Sequence, residues 1–163
     1  MSSTLLSIVA ILASLVGIVS GVLAIRHHLS PDKRGKIDNP PTQSENGGRY
    51  LTVIGNVIAR KRNRIYWLAI QPSDCRGAGS WWPQGQQLLL ESDGGWLLHQ
   101  AKLGRDGPEG DADIGKSFTI ALVEIPVRST AQRDFQKMTG DEGLRLSPNC
   151  KILDSVEVKR VRY

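Results

Sequence analysis

The sequence predicts a mainly β protein: a single N-terminal transmembrane helix followed by an Ig-like β-sandwich of about six or seven strands with one short helix. Three observations carry this expectation. Residues 1–25 contain no charged side chain, although the 163-residue chain has 21 Lys and Arg against 16 Asp and Glu. From Tyr50 onward, strand-like runs recur at short intervals between turn residues. One segment within that series shows helical spacing instead. This composition excludes a collagen, a coiled coil, a multi-span transporter and a disulfide-rich miniprotein.

The first element is the apolar run Leu5 to Ile25, LLSIVAILASLVGIVSGVLAI. At about 1.5 Å per residue it spans just over 30 Å, enough to cross a hydrocarbon core. A soluble helix of that length would carry a polar face, and this run has none. The rival reading is a cleaved signal peptide, with Val22-Leu23-Ala24 as its cleavage pattern. The missing positive n-region and the length of the run argue against it.

Residues 1–29 are therefore expected to form a membrane anchor, with the bilayer as first partner. Basic residues follow the run: Arg26, Lys33, Arg34 and Lys36, with Asp32 the only acid among them. They are expected to contact anionic lipid and to favour a cytoplasmic C-terminal domain at the cell membrane. Within the run, Ser7, Ala10, Ser14, Gly17, Gly21 and Ala24 share one helical face. Small residues on one face let helix backbones approach closely, so self-association is expected through Ala10, Ser14, Gly17 and Gly21.

Residues 30–48, SPDKRGKIDNPPTQSENGG, are poor in apolar side chains and rich in Pro and Gly. They are expected to be a flexible linker. His27 and His28 precede them and read as interfacial residues, since no ligand partners stand at metal spacing.

Residues 49–163 are expected to form the β-sandwich. Its strand-like runs are 50–59, 64–71, 86–92, 95–101, 117–125 and 150–161. Short connections suggest one hairpin from the first two runs and another from the third and fourth. Runs 64–71 and 117–125 are apolar on both faces, so they should be central strands covered on two sides. Ser129 to Gly140 starts with a Ser-x-x-Gln capping box and places Ala131, Phe135 and Met138 on one stripe. A short helix packed on the sandwich is the economical reading.

The ordered series Leu51–Gly55–Val57, IYWLAIQP, WWPQ, GGW, DIGKSF, a short helix and CKILDSVEVKR resembles an uncharacterised bacterial membrane-anchored β-sandwich domain. Its pattern is Trp-Leu-Val-Val, Tyr-Pro-Gln, Gly-x-Trp, Ile-Gly-x-x-Phe and a final Val-x-x-Arg strand. The resemblance covers most of residues 50–160 and departs in LRLSPN, where the pattern has a Pro-rich stretch. It implies a β-sandwich and no established activity.

Catalytic signatures are sparse. No Walker loop, HExxH, GxSxG or paired CxxC occurs. A thiol enzyme would have to use Cys75 or Cys150 with His99, and neither cysteine has an activating neighbour in sequence. The carboxylates Asp106, Glu109, Asp111 and Asp113 could surround Ca²⁺, but they miss EF-hand spacing and read as a solvated turn. No metal or cofactor is expected.

The binding expectation rests on Trp81-Trp82-Pro83-Gln84. Adjacent side chains on an extended segment point to opposite faces, so one indole should face outward unless a loop covers it. Trp81, Trp82 and Gln84, with Arg76 from the preceding loop, form the expected site for a protein partner or small ligand. The competing reading, which the sequence favours slightly, has both indoles covered by the 72–80 loop and the helix. Two basic runs, Arg60 to Arg64 and Lys159 to Arg162, lack any recognition helix or RNA-binding signature, so nucleic acid is not expected, and attraction to anionic lipid or simple solvation is the reading instead. The expected function is a non-enzymatic, membrane-tethered binding or sensing module. The alternatives are the thiol enzyme and a structural subunit of a membrane complex.

Overall fold

The computed structural model describes residues 34–41, 44–46, 49–73, 80–105, 111–137 and 143–162. The expected anchor lies outside the described residues, and with it Ala10, Ser14, Gly17, Gly21, Arg26 and Lys33. No helix among the described residues is long and apolar enough to cross a membrane.

Alternation sets the inner face of the first sheet. In β3 (Tyr50–Val57) Leu51, Val53, Gly55 and Val57 are buried while the residues between them are not. β3 pairs antiparallel with β1 (Gly35–Asn39) on one side and with β6 (Gly95–Lys102) on the other. The second sheet runs β2 (Ser44–Asn46), β8 (Lys151–Arg160), β7 (Ser117–Pro126), β4 (Arg64–Pro72) and β5 (Trp82–Gln84). All its neighbours are antiparallel except β2, which runs parallel to the end of β8. The protein is thus mainly β, two sheets with one short helix.

The two sheets bury one core between them. Ile37, Leu51, Val53, Val57, Trp96 and Ala101 meet Tyr66, Leu68, Ile70, Phe118, Ile120, Leu122, Leu153, Val156 and Val158. Gly55 lies opposite Trp96, and a Cβ there would come within 2.2 Å of both the indole and the Lys36 carbonyl. The absence of a side chain is what lets Trp96 lie flat on the strand.

β4 and β7 are the central strands, as their two-faced apolarity predicts. Their second faces make a smaller core of Ile65, Trp67, Ala69, Ala121, Val123 and Ile125 under the helix α1 (Thr130–Lys137). Ala131 and Phe135 fill that layer, and the Trp67 and Phe135 rings meet edge to face at 5.6 Å. Ser129 caps the helix: its hydroxyl accepts from Gln132 N–H at 3.1 Å, while Gln132 Oε1 accepts from Arg128 N–H at 2.6 Å. Met138 lies outside the described residues.

Three expectations are corrected. The segment expected to be a flexible linker holds β1 and β2. β1 is ordered by long-range partners: Ile37 is buried, and its N–H donates to Asp154 Oδ2 at 2.7 Å. The first two runs do not form a hairpin, because residues 58–63 carry the chain from one sheet to the other. Run 86–92 is no strand. Leu88 turns inward beside Tyr66, whose carbonyl takes its N–H at 2.9 Å, while Leu89 is 78% exposed.

Candidate functional site

The tryptophan pair diverges as extended backbone requires. In the β4–β5 ladder Trp82 faces Ile70 and Gln84 faces Leu68, so both point to the side of the inter-sheet core. Trp81 goes the other way. It packs on the helix-side core with Leu144, Leu146 and Cys150, and its backbone makes a two-way bridge with Leu144 at 2.8 Å. Both indoles are half-buried. Neither stands out as a freely exposed platform, and Trp82 is the one that lies on the short edge strand β5.

Gln84 has another role. Its Oε1 accepts from Lys102 N–H at 2.8 Å, and its Nε2 donates to the Trp82 carbonyl at 3.0 Å. The residue is buried and joins β5 of one sheet to β6 of the other. With both ends of the amide engaged, Gln84 closes the sandwich margin rather than presenting a ligand contact. Arg76 lies outside the described residues.

The candidate thiol pair does not assemble around Cys150. His99 stands on the outer face of the three-stranded sheet, with its Nδ1 3.5 Å from Thr52 Oγ1. Cys150 is a free thiol packed on the helix side of the other sheet. Burial pushes the Cys150 thiol above its usual range and the Asp134 charge adds to this, against a backbone hydrogen bond from Ser147 and the Arg64 charge. A raised thiol is a poor nucleophile. Cys75 lies outside the described residues.

The remaining buried charges have structural partners. The Glu124 carboxylate, 2% exposed, takes Arg34 Nη1 at 2.9 Å and has Arg64 Nε at 3.7 Å. Arg34, expected to meet lipid, is thereby turned into the protein. Lys36 remains exposed, and Asp38 at 2.7 Å raises its pKa. Asp113 of the acidic loop accepts from Arg105 N–H at 2.9 Å and from Lys116 Nζ at 3.0 Å. Burial alone would raise its pKa, but these donors outweigh it and hold the carboxyl at about 2. Its oxygens are therefore committed to cations of the chain. Among the described residues no three metal-ligating side chains converge.

Sequence reasoning separated features that the fold brings together. The loop of residues 58–63 meets the start of β1, where Ile58 N–H donates to the Arg34 carbonyl at 2.8 Å. It also meets the end of β7, where Val127 N–H donates to the Asn63 carbonyl at 3.0 Å. Arg60, Lys61, Arg62 and Arg128 are all exposed there. The second basic run, ending β8, lies at the opposite end beside Asp113, where Arg160 Nη1 donates to the Leu103 carbonyl at 3.0 Å. The clue in the sequence was Ile58, an apolar residue continuing a strand pattern straight into a basic run.

No known protein family matches this chain. No curated protein and no solved structure matches it either.

Proposed function

We infer that the protein is a single-pass, membrane-anchored binding or sensing module built on an Ig-like sandwich, without catalytic activity. Strand order is the observation that carries the Ig-like reading. β1, β3 and β6 in one sheet against β8, β7, β4 and β5 in the other follow the A, B, E and G, F, C, C′ plan of variable-type domains. The chain departs from that plan in having no cysteine on β3 or β7 and in turning Trp67 toward a helix instead of the inter-sheet core. Fold alone does not give function, so the binding reading rests on Trp82, a half-buried indole on the edge strand β5. The non-enzymatic reading is supported by the structural use of Glu124, Asp113 and Gln84 and by the separation of Cys150 from His99. The membrane reading rests on the uncharged run from Leu5 to Ile25.

Two measurements test this. The full chain should stay in the membrane pellet through alkaline carbonate, and a chain lacking residues 1–31 should not. In mild detergent, Trp82→Ala should fail to form the cross-link to a partner that the parent forms, while leaving the thermal midpoint within a few degrees of the parent. A midpoint fall matching that of Trp81→Ala would make Trp82 a packing residue only. Labelling of Cys150 at neutral pH faster than a free thiol would favour the enzyme alternative instead.

A further inference from the structure

The end of the sandwich where β1 begins gathers positive charge around exposed apolar side chains. Ile58 is 76% exposed and Val127 38% exposed. Around them stand Arg60, Lys61, Arg62 and Arg128, all exposed. Arg60 donates to the Ser92 carbonyl at 2.8 Å, which holds the loop against the turn before β6. Lys61 N–H donates to the Tyr66 hydroxyl at 3.3 Å, fixing the base of the same loop. Among the described residues no acid pairs with the side chains of Lys61, Arg62 or Arg128. The nearest buried acid, Glu124, is already taken by Arg34 and Arg64. The patch is thus a basic surface held by backbone contacts, with exposed Ile58 in its loop and the acids Glu91 and Asp93 on the turn beside Arg60.

Its place in the chain names the occupant. Residues 26–33 separate the uncharged run from Arg34, and eight residues reach about 28 Å at most when fully extended. Arg34 is hydrogen-bonded to the patch itself through Ile58. On the membrane-anchored reading proposed above, on which this inference rests, the patch is held within a short reach of the headgroups. We propose that residues 58–62 with Val127 and Arg128 form a docking surface for anionic lipid headgroups, with Ile58 entering the interface. Clustered Lys and Arg are attracted to an anionic leaflet, and an exposed aliphatic side chain adds apolar burial at the acyl boundary. Lys159 and Arg160, at the far end, take no part.

The test uses the full chain reconstituted into phosphatidylcholine vesicles with or without phosphatidylglycerol. Trypsin cleavage after Lys61 and Arg62 is timed by mass spectrometry, with cleavage after the exposed Arg105 at the opposite end as internal control. Phosphatidylglycerol should slow the loop cuts about tenfold and leave Arg105 unchanged, and high salt should reverse the protection. Arg128→Asn should reduce that protection about fivefold, and Ile58→Ser should reduce it without altering the salt response. Both positions are exposed, so neither variant removes core. Equal cleavage in the two vesicle types overturns the proposal, as does protection that is independent of lipid charge, which would point to contact between copies. Should alkaline carbonate strip the chain from vesicles, the anchored reading fails by itself. Cosedimentation of the full chain with anionic but not neutral vesicles would then still support docking, and its absence would overturn it.

Discussion

Asp113 illustrates how far a carboxylate can be read from sequence and where the reading stops. Its neighbours in the chain are acidic and Gly-rich, which suggests a solvated or cation-binding turn. The fold instead brings Arg105 and Lys116 to its oxygens, and Gly104 packs so close that a Cβ there would lie 2.7 Å from Oδ2. With a folded pKa of about 2 against an ordinary value near 3.8, the group binds fewer protons folded than unfolded. Its contribution is therefore present above about pH 4 and is lost as the pH falls toward about 2. Because the Lys116 and Arg105 side chains are each about half exposed, that contribution is about 1–2 kcal/mol rather than the full value of the shift. Urea unfolding should show Asp113→Asn less stable than the parent by that amount at pH 6, with the gap closing near pH 2. A gap independent of pH would mean that the variant acts through packing alone.

At the scale of elements, the two-faced apolar runs were the most legible feature. β4 and β7 pair over their full length from Arg64 with Pro126 to Pro72 with Phe118, and both their faces are covered. The helix was equally legible, because its cap and its apolar stripe are both local. β1 and β2 were not. GKIDN offers one large apolar side chain, so nothing local distinguishes it from linker, and its strand conformation comes from β3 and from Asp154. The hairpins misled for two reasons: the 58–63 connection bridges two sheets, and run 86–92 forms no strand, so β6 pairs with β3 instead. The candidate site was legible in the divergence of Trp81 and Trp82, which follows from backbone geometry. It was illegible in Gln84, whose amide is claimed by a strand of the opposite sheet. Helix α1 gives the cleanest test at this scale. Ser129→Ala removes the cap and should cost about 1 kcal/mol. Phe135→Ala opens a hole beneath the helix against Trp67 and should cost about 3–4 kcal/mol. If the two variants destabilise equally, the helix is held by its ends and not by the layer it covers.

For the whole molecule the deciding question is where the folded domain begins. Among the described residues, both cores draw their buried side chains from residues 37 to 158. β1 belongs to this body in three ways. It pairs with β3 and buries Ile37 between the sheets. Gly35 packs so closely that a Cβ there would lie 2.8 Å from both Leu122 and Leu153 of the opposite sheet. Just before the strand, Arg34 neutralises the buried Glu124. A chain starting at residue 34 should therefore unfold in urea with the same midpoint and slope as one starting at residue 1. A chain starting at residue 41 loses all three contributions. It would expose the edge of β3, empty the place of Ile37 at a cost of about 2–5 kcal/mol, and leave Glu124 with only the more distant Arg64. Breaking a buried ion pair from one side adds about 3–5 kcal/mol. Since small domains hold only about 5–15 kcal/mol in all, the shorter chain should be unfolded or molten at room temperature. Restoring Arg34 to Asn39 as a separate peptide should bring back cooperative unfolding, because the strand docks through its own backbone ladder. A shorter chain that unfolds cooperatively at the parental midpoint would place the boundary after Pro40 and return residues 34–40 to the linker.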